Sequence, residues 1–380
     1  MMKSDILIFV EDPGAANYIV PLPEALSGAG YTVTLVAEGA AKDYLLQRGL
    51  RPFPATSPLG AEHLLKEFDP LLVITGTSEN LDSVGLHLID CAWKNNIQSI
   101  GIVDSYSNAA YRFRGRGDTA FTHAPGWLFV PDGWTKDAFV ALGYHSDHIM
   151  VCGHPHYDHV LAVKKRLRQE GKQAVKRRVF PRSPEARPVV VFLAELSSGL
   201  NPQQYQRSSD FTLSGRGMSS GRTEIVMEEF LDAAKMLNPV PYKVLRLHPK
   251  NTLQDFSAYH GEFDLVSKDE LPLEIVFAAD LVVGMTSMLL FEAALMGIKT
   301  LSIVPRAEEI EWLASIRAGI TEYVSTRDRL GSVLNRCFAN CHGKAPADDE
   351  GKVITNAVGN IIGAVEKILL NGRQADRCRR

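Results

Sequence analysis

No run of about eighteen apolar residues occurs in this 380-residue chain, so no membrane-spanning helix is expected. The formal net charge is only −3, which removes any global electrostatic reason to expect a nucleic-acid partner. Cysteine is scarce. Cys91, Cys152, Cys337, Cys341 and Cys378 are odd in number and scattered, a pattern that fits a reducing cytoplasm better than a disulfide framework. The three-glycine dinucleotide fingerprint and the Walker lysine are both missing. Neither half carries a carboxylate pair at metal-binding spacing, and no repeat of about 20–50 residues is visible. The amino terminus, MMKSDILIFVEDPG, has a basic residue before an apolar run. That run is too short for a secretory signal and passes straight into a turn, as a first core strand does.

What is present reads as an ordinary globular chain. Hydrophobic residues make up 45% and charged residues 22%, and the length exceeds one typical core, so two domains are the default. Apolar, β-branched strands are expected at 6–10, 31–37, 71–75, 99–103, 127–130 and 149–152. Helices are expected at 18–29, 42–48 and 81–95. A second series has strands at 189–193, 243–247, 263–266, 281–283 and 300–304, with helices at 224–237 and 273–279 and another from 286 to 297. Alternation of this kind means parallel strands covered by helices on both faces. The fold class expected is therefore α/β, with two doubly wound Rossmann-like domains facing across a cleft. The boundaries read as 1–160 for the first domain and 161–188 for a linker. The second domain spans 189–350, and 351–380 forms a packing helix and tail. The linker holds Lys164, Lys165, Arg166, Arg168, Lys172, Lys176, Arg177 and Arg178, then Pro181 and Pro184. It reads as a solvated helix, with weak peripheral docking on anionic lipid at the inner face of a membrane as the alternative.

Ligands of doubly wound sheets bind at the carboxyl ends of strands, so polar residues there carry the functional reading. After the first strand comes Glu11-Asp12-Pro13-Gly14-Ala15-Ala16-Asn17. Its small residues admit close backbone approach. Its two carboxylates offer a general base, with Asp12 favoured over Glu11, unless Asp12 only caps the next helix. After the fourth strand, Asp104, Ser105, Tyr106, Ser107 and Asn108 precede Tyr111, Arg112 and Arg114. Asp104 is a further base candidate, and Ser105, Asn108 and Arg112, with Gly14 and Asn17, are substrate-contact candidates. Gly153-His154-Pro155-His156-Tyr157-Asp158-His159 gathers histidines, but in a Pro-containing turn unlike the helical two-histidine zinc signature. It reads as a turn rather than a metal centre. Cys337, Cys341 and His342 likewise lack a second ligand pair.

In the second half, Arg246-Leu247-His248-Pro249-Lys250 follows a strand. Pro249 keeps His248 extended, and Arg246 and Lys250 place cations where a phosphate could meet them. Gly284-Met285-Thr286-Ser287 ends another strand and starts a helix, whose amino-terminal N–H groups suit an anion. Glu292 lies on that otherwise apolar helix, and an unpaired buried carboxylate is costly, so it should face a polar ligand or partner. The Ser- and Gly-rich stretch 196–221 is long enough to close over a bound ligand.

Together these motifs resemble the GT-B glycosyltransferase superfamily, which includes the non-hydrolysing UDP-GlcNAc 2-epimerases; the resemblance spans about residues 5–324. The segment 284–297 looks like the donor-binding helix of the peptidoglycan N-acetylglucosaminyltransferase. By that resemblance Glu292 holds the nucleotide ribose, while Thr286 and Ser287 meet the diphosphate, and Gly284 belongs to the same donor site. His248-Pro249 with Thr286-Ser287 is similar to the motifs of bacterial sialyl-, Kdo- and glycerophosphate-transferases that bind a cytidine nucleotide's phosphate. Where the peptidoglycan enzyme has a glycine-rich turn ending in histidine, this chain has Ala16-Asn17. The Asp-Ser-Gly-Gly donor motif of the epimerases is replaced by Gly-Met-Thr-Ser. The resemblance implies a cytoplasmic, metal-independent glycosyltransferase using a UDP- or CMP/CDP-linked sugar, no further cofactor, and a glycan or lipid-linked envelope acceptor. A nucleotide-sugar epimerase or hydrolase is the alternative, and a non-catalytic nucleotide-sugar-binding protein of the same fold is the third reading.

Overall fold

The computed structural model describes residues 3–53, 60–78, 80–106, 108–196, 205–340 and 353–378, with side chains in the last segment described as far as Leu370. The chain divides into two compact units, residues 1–158 with 353–380, and residues 159–352. Each is a six-stranded, wholly parallel sheet flanked by helices, which is the α/β, doubly wound, Rossmann-like class expected from the strand–helix alternation.

The first unit runs β1 (Ile6–Val10), α1 (Pro13–Ile19), α2 (Leu22–Gly28), β2 (Val33–Ala37), α3 (Gly39–Leu46), α4 (Ala61–Phe68) and β3 (Leu72–Gly76). It continues through α5 (Val84–Lys94), β4 (Gln98–Ile102), β5 (Trp127–Val130), α6 (Gly133–Ala141) and β6 (Ile149–Val151). The strand order is β2-β1-β3-β4-β5-β6. All five residues of β1 are buried because successive side chains enter different cores. Ile6, Ile8 and Val10 pack with Tyr18, Ile19 and Leu26 on one face, while Leu7 and Phe9 pack with Leu64, Phe68 and Leu88 on the other. The helix expected at 18–29 is two helices. Pro13 takes the first-turn position of α1, where a missing N–H costs nothing, and Pro21 and Pro23 cannot donate to a continuous helix through that region.

The second unit begins within α7 (Pro155–Glu170), followed by α8 (Lys172–Val179), β7 (Val189–Leu193), α9 (Arg222–Ala234), β8 (Tyr242–Arg246) and β9 (Leu265–Ser267). It continues through α10 (Pro272–Ala278), β10 (Leu281–Gly284), α11 (Met288–Leu295), β11 (Lys299–Ile303), α12 (Ala314–Arg317), β12 (Glu322–Val324) and α13 (Arg327–Ala339). Its sheet order is β12-β11-β10-β7-β8-β9. The stretch read as a solvated basic linker is largely helix docked by ion pairs. Lys176 reaches Asp280 at 2.9 Å, and Arg166 and Arg178 both reach Glu274, at 3.2 and 2.5 Å. These cations serve the unit's own acids.

The last helix, α14 (Ala357–Cys378), belongs to the first unit. Ile361, Ala364, Val365 and Ile368 join the core that holds Ile6 and Ile8. Its start is fixed by Asp158, whose carboxylate accepts the N–H groups of Asn356 (2.9 Å) and Ala357 (2.7 Å). Among the described residues, no helix is long and apolar enough to cross a membrane.

Each strand order marks a switch point. The first strand of each unit, β1 or β7, has its second strand on one side, and a later strand (β3 or β10) on the other. The chain therefore leaves the two neighbours in opposite directions, and the carboxyl ends of β1/β3 and β7/β10 frame the places where such sheets receive ligands.

Candidate functional site

At the β1/β3 switch point, sequence order alone places Glu11 and Asp12 at the strand end. Asp12 is the N-cap of α1, and its Oδ1 accepts the Gly14 N–H at 3.4 Å. Glu11 is held differently. Its Oε1 accepts from Asn80 Nδ2 at 2.6 Å, while Oε2 is buried with no hydrogen-bond partner among the described residues. Gly39, at φ +53°, makes room here, since a Cβ would stand 3.3 Å from the Glu11 carbonyl oxygen.

Asp104 follows β4 and is bound by Arg112 Nη1 at 2.6 Å. The same guanidinium donates to Thr77 Oγ1 (2.7 Å) and Ser105 Oγ (2.8 Å). Burial favours the neutral acid, but the charge of Arg112, helped by His154, outweighs it and holds Asp104 below the ordinary aspartate range. Asp104 also presses on α1, because a Cβ on Gly14 would lie 2.3 Å from its Oδ2. His154, after β6, is 3% exposed and pushed down to about 3, first by burial and then by His156, against the pull of Asp104. Its Nδ1 accepts the His156 N–H at 3.2 Å, so the proton of the neutral ring sits on Nε2. The ring stacks on Tyr157 and tilts against Tyr18, with both centroids 4.7 Å away.

Asp12, Gly14, Asp104, Ser105 and Arg112 thus meet around one strand-end cluster. Asn17 is turned aside, its Oδ1 accepting from Tyr44 at 2.7 Å. Asn108 is exposed, in the left-handed region at φ +60°. Ser107 lies outside the described residues. Thr77, Asn80 and His154 join the cluster unanticipated as site residues; the Gly76-Thr77 pair closing β3 was the signal for the first of them.

At the β7/β10 switch point the structure adds an unforeseen acid. Glu195, just after β7, accepts the Thr286 N–H at 2.6 Å on Oε1 and the Thr286 hydroxyl at 3.1 Å on Oε2. Arg222, at the start of α9, donates to Glu195 Oε2 at 2.8 Å and to Thr286 Oγ1 at 3.2 Å. It also forks onto Glu309, which Arg306 Nη1 joins at 3.1 Å, and Arg306 Nε meets Asp210 at the same distance. Burial works against a charge on Arg222, yet Glu195 and Glu309 outweigh it and raise its proton affinity above the ordinary value. Arg222, Arg306 and Glu309 are each under 5% exposed, so this is a buried ionic network.

Of the expected donor-site residues, Thr286 belongs to this network and His248 lies near Glu195. Ser287 caps α11, its Oγ accepting the Leu289 N–H at 3.2 Å. Gly284 closes β10 tightly, with a Cβ position 3.3 Å from Leu193 Cβ. His248 Nδ1 accepts the Lys250 N–H at 3.2 Å, which leaves Nε2–H as a donor. Burial, then Lys250, lower the His248 pKa while nearby Glu195 raises it, so the ring stays neutral near pH 7. The Lys250 residue is exposed, and Glu292 is 9% exposed on α11. Arg246 points into the protein, donating to Ser267 Oγ at 2.9 Å and lying 3.5 Å from Glu270.

Residues 197–204 of the Ser- and Gly-rich stretch, and Cys341 and His342, lie outside the described residues. The remainder of that stretch is pinned to its own unit. The Thr212 N–H bonds the Pro305 carbonyl at 2.8 Å, and Arg216 pairs with Asp232 and Glu262. Among the described residues no group of three His, Cys, Asp or Glu side chains could hold a metal ion.

No protein-family model matches the chain, and no curated protein matches it by sequence. Solved structures do match in fold. A UDP-GlcNAc 2-epimerase from Neisseria meningitidis, solved with UDP-GlcNAc, is 13% identical with a TM-score of 0.61, covering 95% of this chain and 99% of its own. One from Methanocaldococcus jannaschii is 14% identical with a TM-score of 0.64 over 96% and 99% of the two chains. Anabaena Alr3699/HepE in complex with UDP-glucose gives 13% and 0.55 over 97% and 99%. At this identity the likeness is one of fold, two Rossmann-like units of the type these epimerases have.

Proposed function

We propose that the chain is an enzyme acting on a UDP-linked sugar, and that it passes the sugar to a hydroxyl of an envelope polysaccharide or glycolipid acceptor. The observation that carries the reading is the likeness in fold, over nearly the whole of both chains, to proteins solved with UDP-GlcNAc and UDP-glucose. The polar residues at the carboxyl ends of β7, β8 and β10 support it. In this reading the second unit holds the donor. His248 donates from Nε2, and Lys250 and the 284–287 turn meet the diphosphate. Glu292 accepts from the ribose diol.

The first unit takes the acceptor and supplies the base. Among the three candidate carboxylates Glu11 is favoured, because its Oε2 has no hydrogen-bond partner among the described residues whereas Asp12 is engaged as a cap and Asp104 is paired with Arg112. The acceptor O–H gives its proton to Glu11 Oε2 and its oxygen bonds the anomeric carbon. The bond from that carbon to the diphosphate breaks, and its electron pair departs with UDP. A positioned base contributes about 10²–10⁴-fold. Glu11→Gln is therefore expected to lose about a hundredfold or more in turnover with UDP affinity unchanged; full turnover in that variant refutes the assignment.

Epimerisation is the second reading, favoured by the UDP-GlcNAc 2-epimerases among the structures of like fold. Incubating the protein with UDP-GlcNAc and no acceptor separates the two. An isomer of unchanged mass supports epimerisation, whereas sugar transfer that requires an added acceptor supports the first reading.

A further inference from the structure

The groups at the β7/β10 switch point are those that bind phosphate, yet a carboxylate already holds them. A backbone N–H at the end of a strand, a hydroxyl and one N–H of Arg222 all converge on Glu195, at 2.6, 3.1 and 2.8 Å. His248 is close enough for Glu195 to raise its proton affinity. The Glu195 side chain is 13% exposed, whereas that of Arg222 is 3% exposed and clamped from behind by Glu309. The acid is therefore the movable partner and the arginine the fixed one. Charge counting agrees. Glu195, Glu309 and Asp210 face Arg222 and Arg306, three negative groups against two positive ones. With Glu195 in place the network has no positive charge to spare for an incoming anion. With Glu195 turned away, the remaining charges balance, and the Thr286 N–H and one edge of Arg222 are exposed to a new acceptor.

We propose that Arg222 and the Thr286 N–H form the phosphate-binding pair of this unit, and that Glu195 sets its selectivity by standing in the phosphate's place until the ligand displaces it. This rests on the reading that the second unit binds a nucleoside diphosphate. Glu195 contacts the ligand's position, not the reacting sugar, so it acts on which anions are admitted and how tightly. A nucleoside without phosphate does not compete with it.

The test is calorimetric titration of the full chain and its Glu195→Gln and Glu195→Ala variants with UDP, inorganic pyrophosphate and uridine. Removing the competing carboxylate should tighten UDP and pyrophosphate by about tenfold or more, the loss of one charge-assisted competitor, with uridine affinity unchanged. Glu195→Asp keeps the charge but shortens its reach, and should tighten UDP by less. Far-UV circular dichroism verifies folding, and Glu195→Gln keeps an oxygen for the Thr286 N–H if Glu195→Ala fails to fold. Wild-type UDP binding with no tightening in the Gln variant, or equal changes for uridine and UDP, overturns the proposal while leaving the nucleotide reading intact. No UDP binding by wild type or variants overturns both.

Discussion

His154 gives the chain a built-in sensitivity to mild acid. The ring is buried between Tyr18 and Tyr157, and burial with His156 holds its pKa at about 3, against about 6.5 for histidine in an unfolded chain. The folded pKa is the lower of the two, so between these values the unfolded state binds the extra proton and stability falls as pH falls. The loss begins near pH 6.5, reaches about 2 kcal/mol by pH 5 and about 4 kcal/mol by pH 3, and levels off just under about 5 kcal/mol at lower pH. His248 is also held below its ordinary value, by burial first, and contributes with the same sign. The measurement is urea unfolding followed by far-UV circular dichroism from about pH 7.5 to about pH 5, for the wild type and His154→Gln. The glutamine variant costs some stability at neutral pH because the buried site is altered. What matters is the slope, since glutamine cannot charge, so the variant should lose about 2 kcal/mol less than the wild type across that window. Parallel slopes in the two proteins, or a wild type that is flat over the window, would show that protonation of His154 is not excluded by the fold.

Three further outcomes are expected. Glu309→Ala leaves two buried guanidinium groups with reduced compensation and should cost about 3–5 kcal/mol in urea unfolding; a loss below about 1 kcal/mol would mean that water reaches the network. Gly14→Ala drives a methyl to 2.3 Å from Asp104 Oδ2, which Arg112 holds in place, and should cost about 1–3 kcal/mol. Gly28→Ala, in a helix and with nothing within 4 Å, is the clash-free control and should not destabilise. Asp158→Ala removes the acceptor of the Asn356 and Ala357 N–H groups and should cost about 0.5–2 kcal/mol, with faster amide exchange at the start of α14; unchanged exchange there would refute the capping role.

The strands were legible because burial on both faces writes them as unbroken apolar runs. IleLeuIlePheVal at 6–10, TrpLeuPheVal at 127–130 and ValValValPheLeu at 189–193 are strands at the residues expected. Helices were less so. Short α4 and α6 carry many polar residues and were not anticipated, and the helix expected at 18–29, with proline tolerated near its start, is broken because Pro21 and Pro23 cannot donate to one continuous hydrogen-bond ladder. Lys165, Arg168 and Arg177 are exposed as the sequence suggested, but the docking of Lys176 on Asp280 and of Arg166 and Arg178 on Glu274 was hidden because those acids lie about a hundred positions downstream.

The same distinction between local and distant partners runs through the candidate sites. Asp12 and Ser287 are caps, and a cap is written within three residues, so a sequence can show it. Asp12 is favoured on sequence over Glu11 and Asp104 as the base, however, and the contacts that distinguish Glu11 and Asp104 are long-range. Asn80 takes one oxygen of Glu11 from 69 residues away, while Gly14 crowds Asp104. The Arg222 pairs with Glu195 and Glu309 span 27 and 87 residues, and no periodicity or spacing announces them. Their consequence is chemical. A strand-end turn with small hydroxyl residues reads as a phosphate site only while its N–H groups are free, and here one of them is bonded to an acid of the neighbouring strand end. The affinity of that turn for an anion is therefore a difference between two occupants, and replacing Glu195 changes it without touching a single group that binds the ligand.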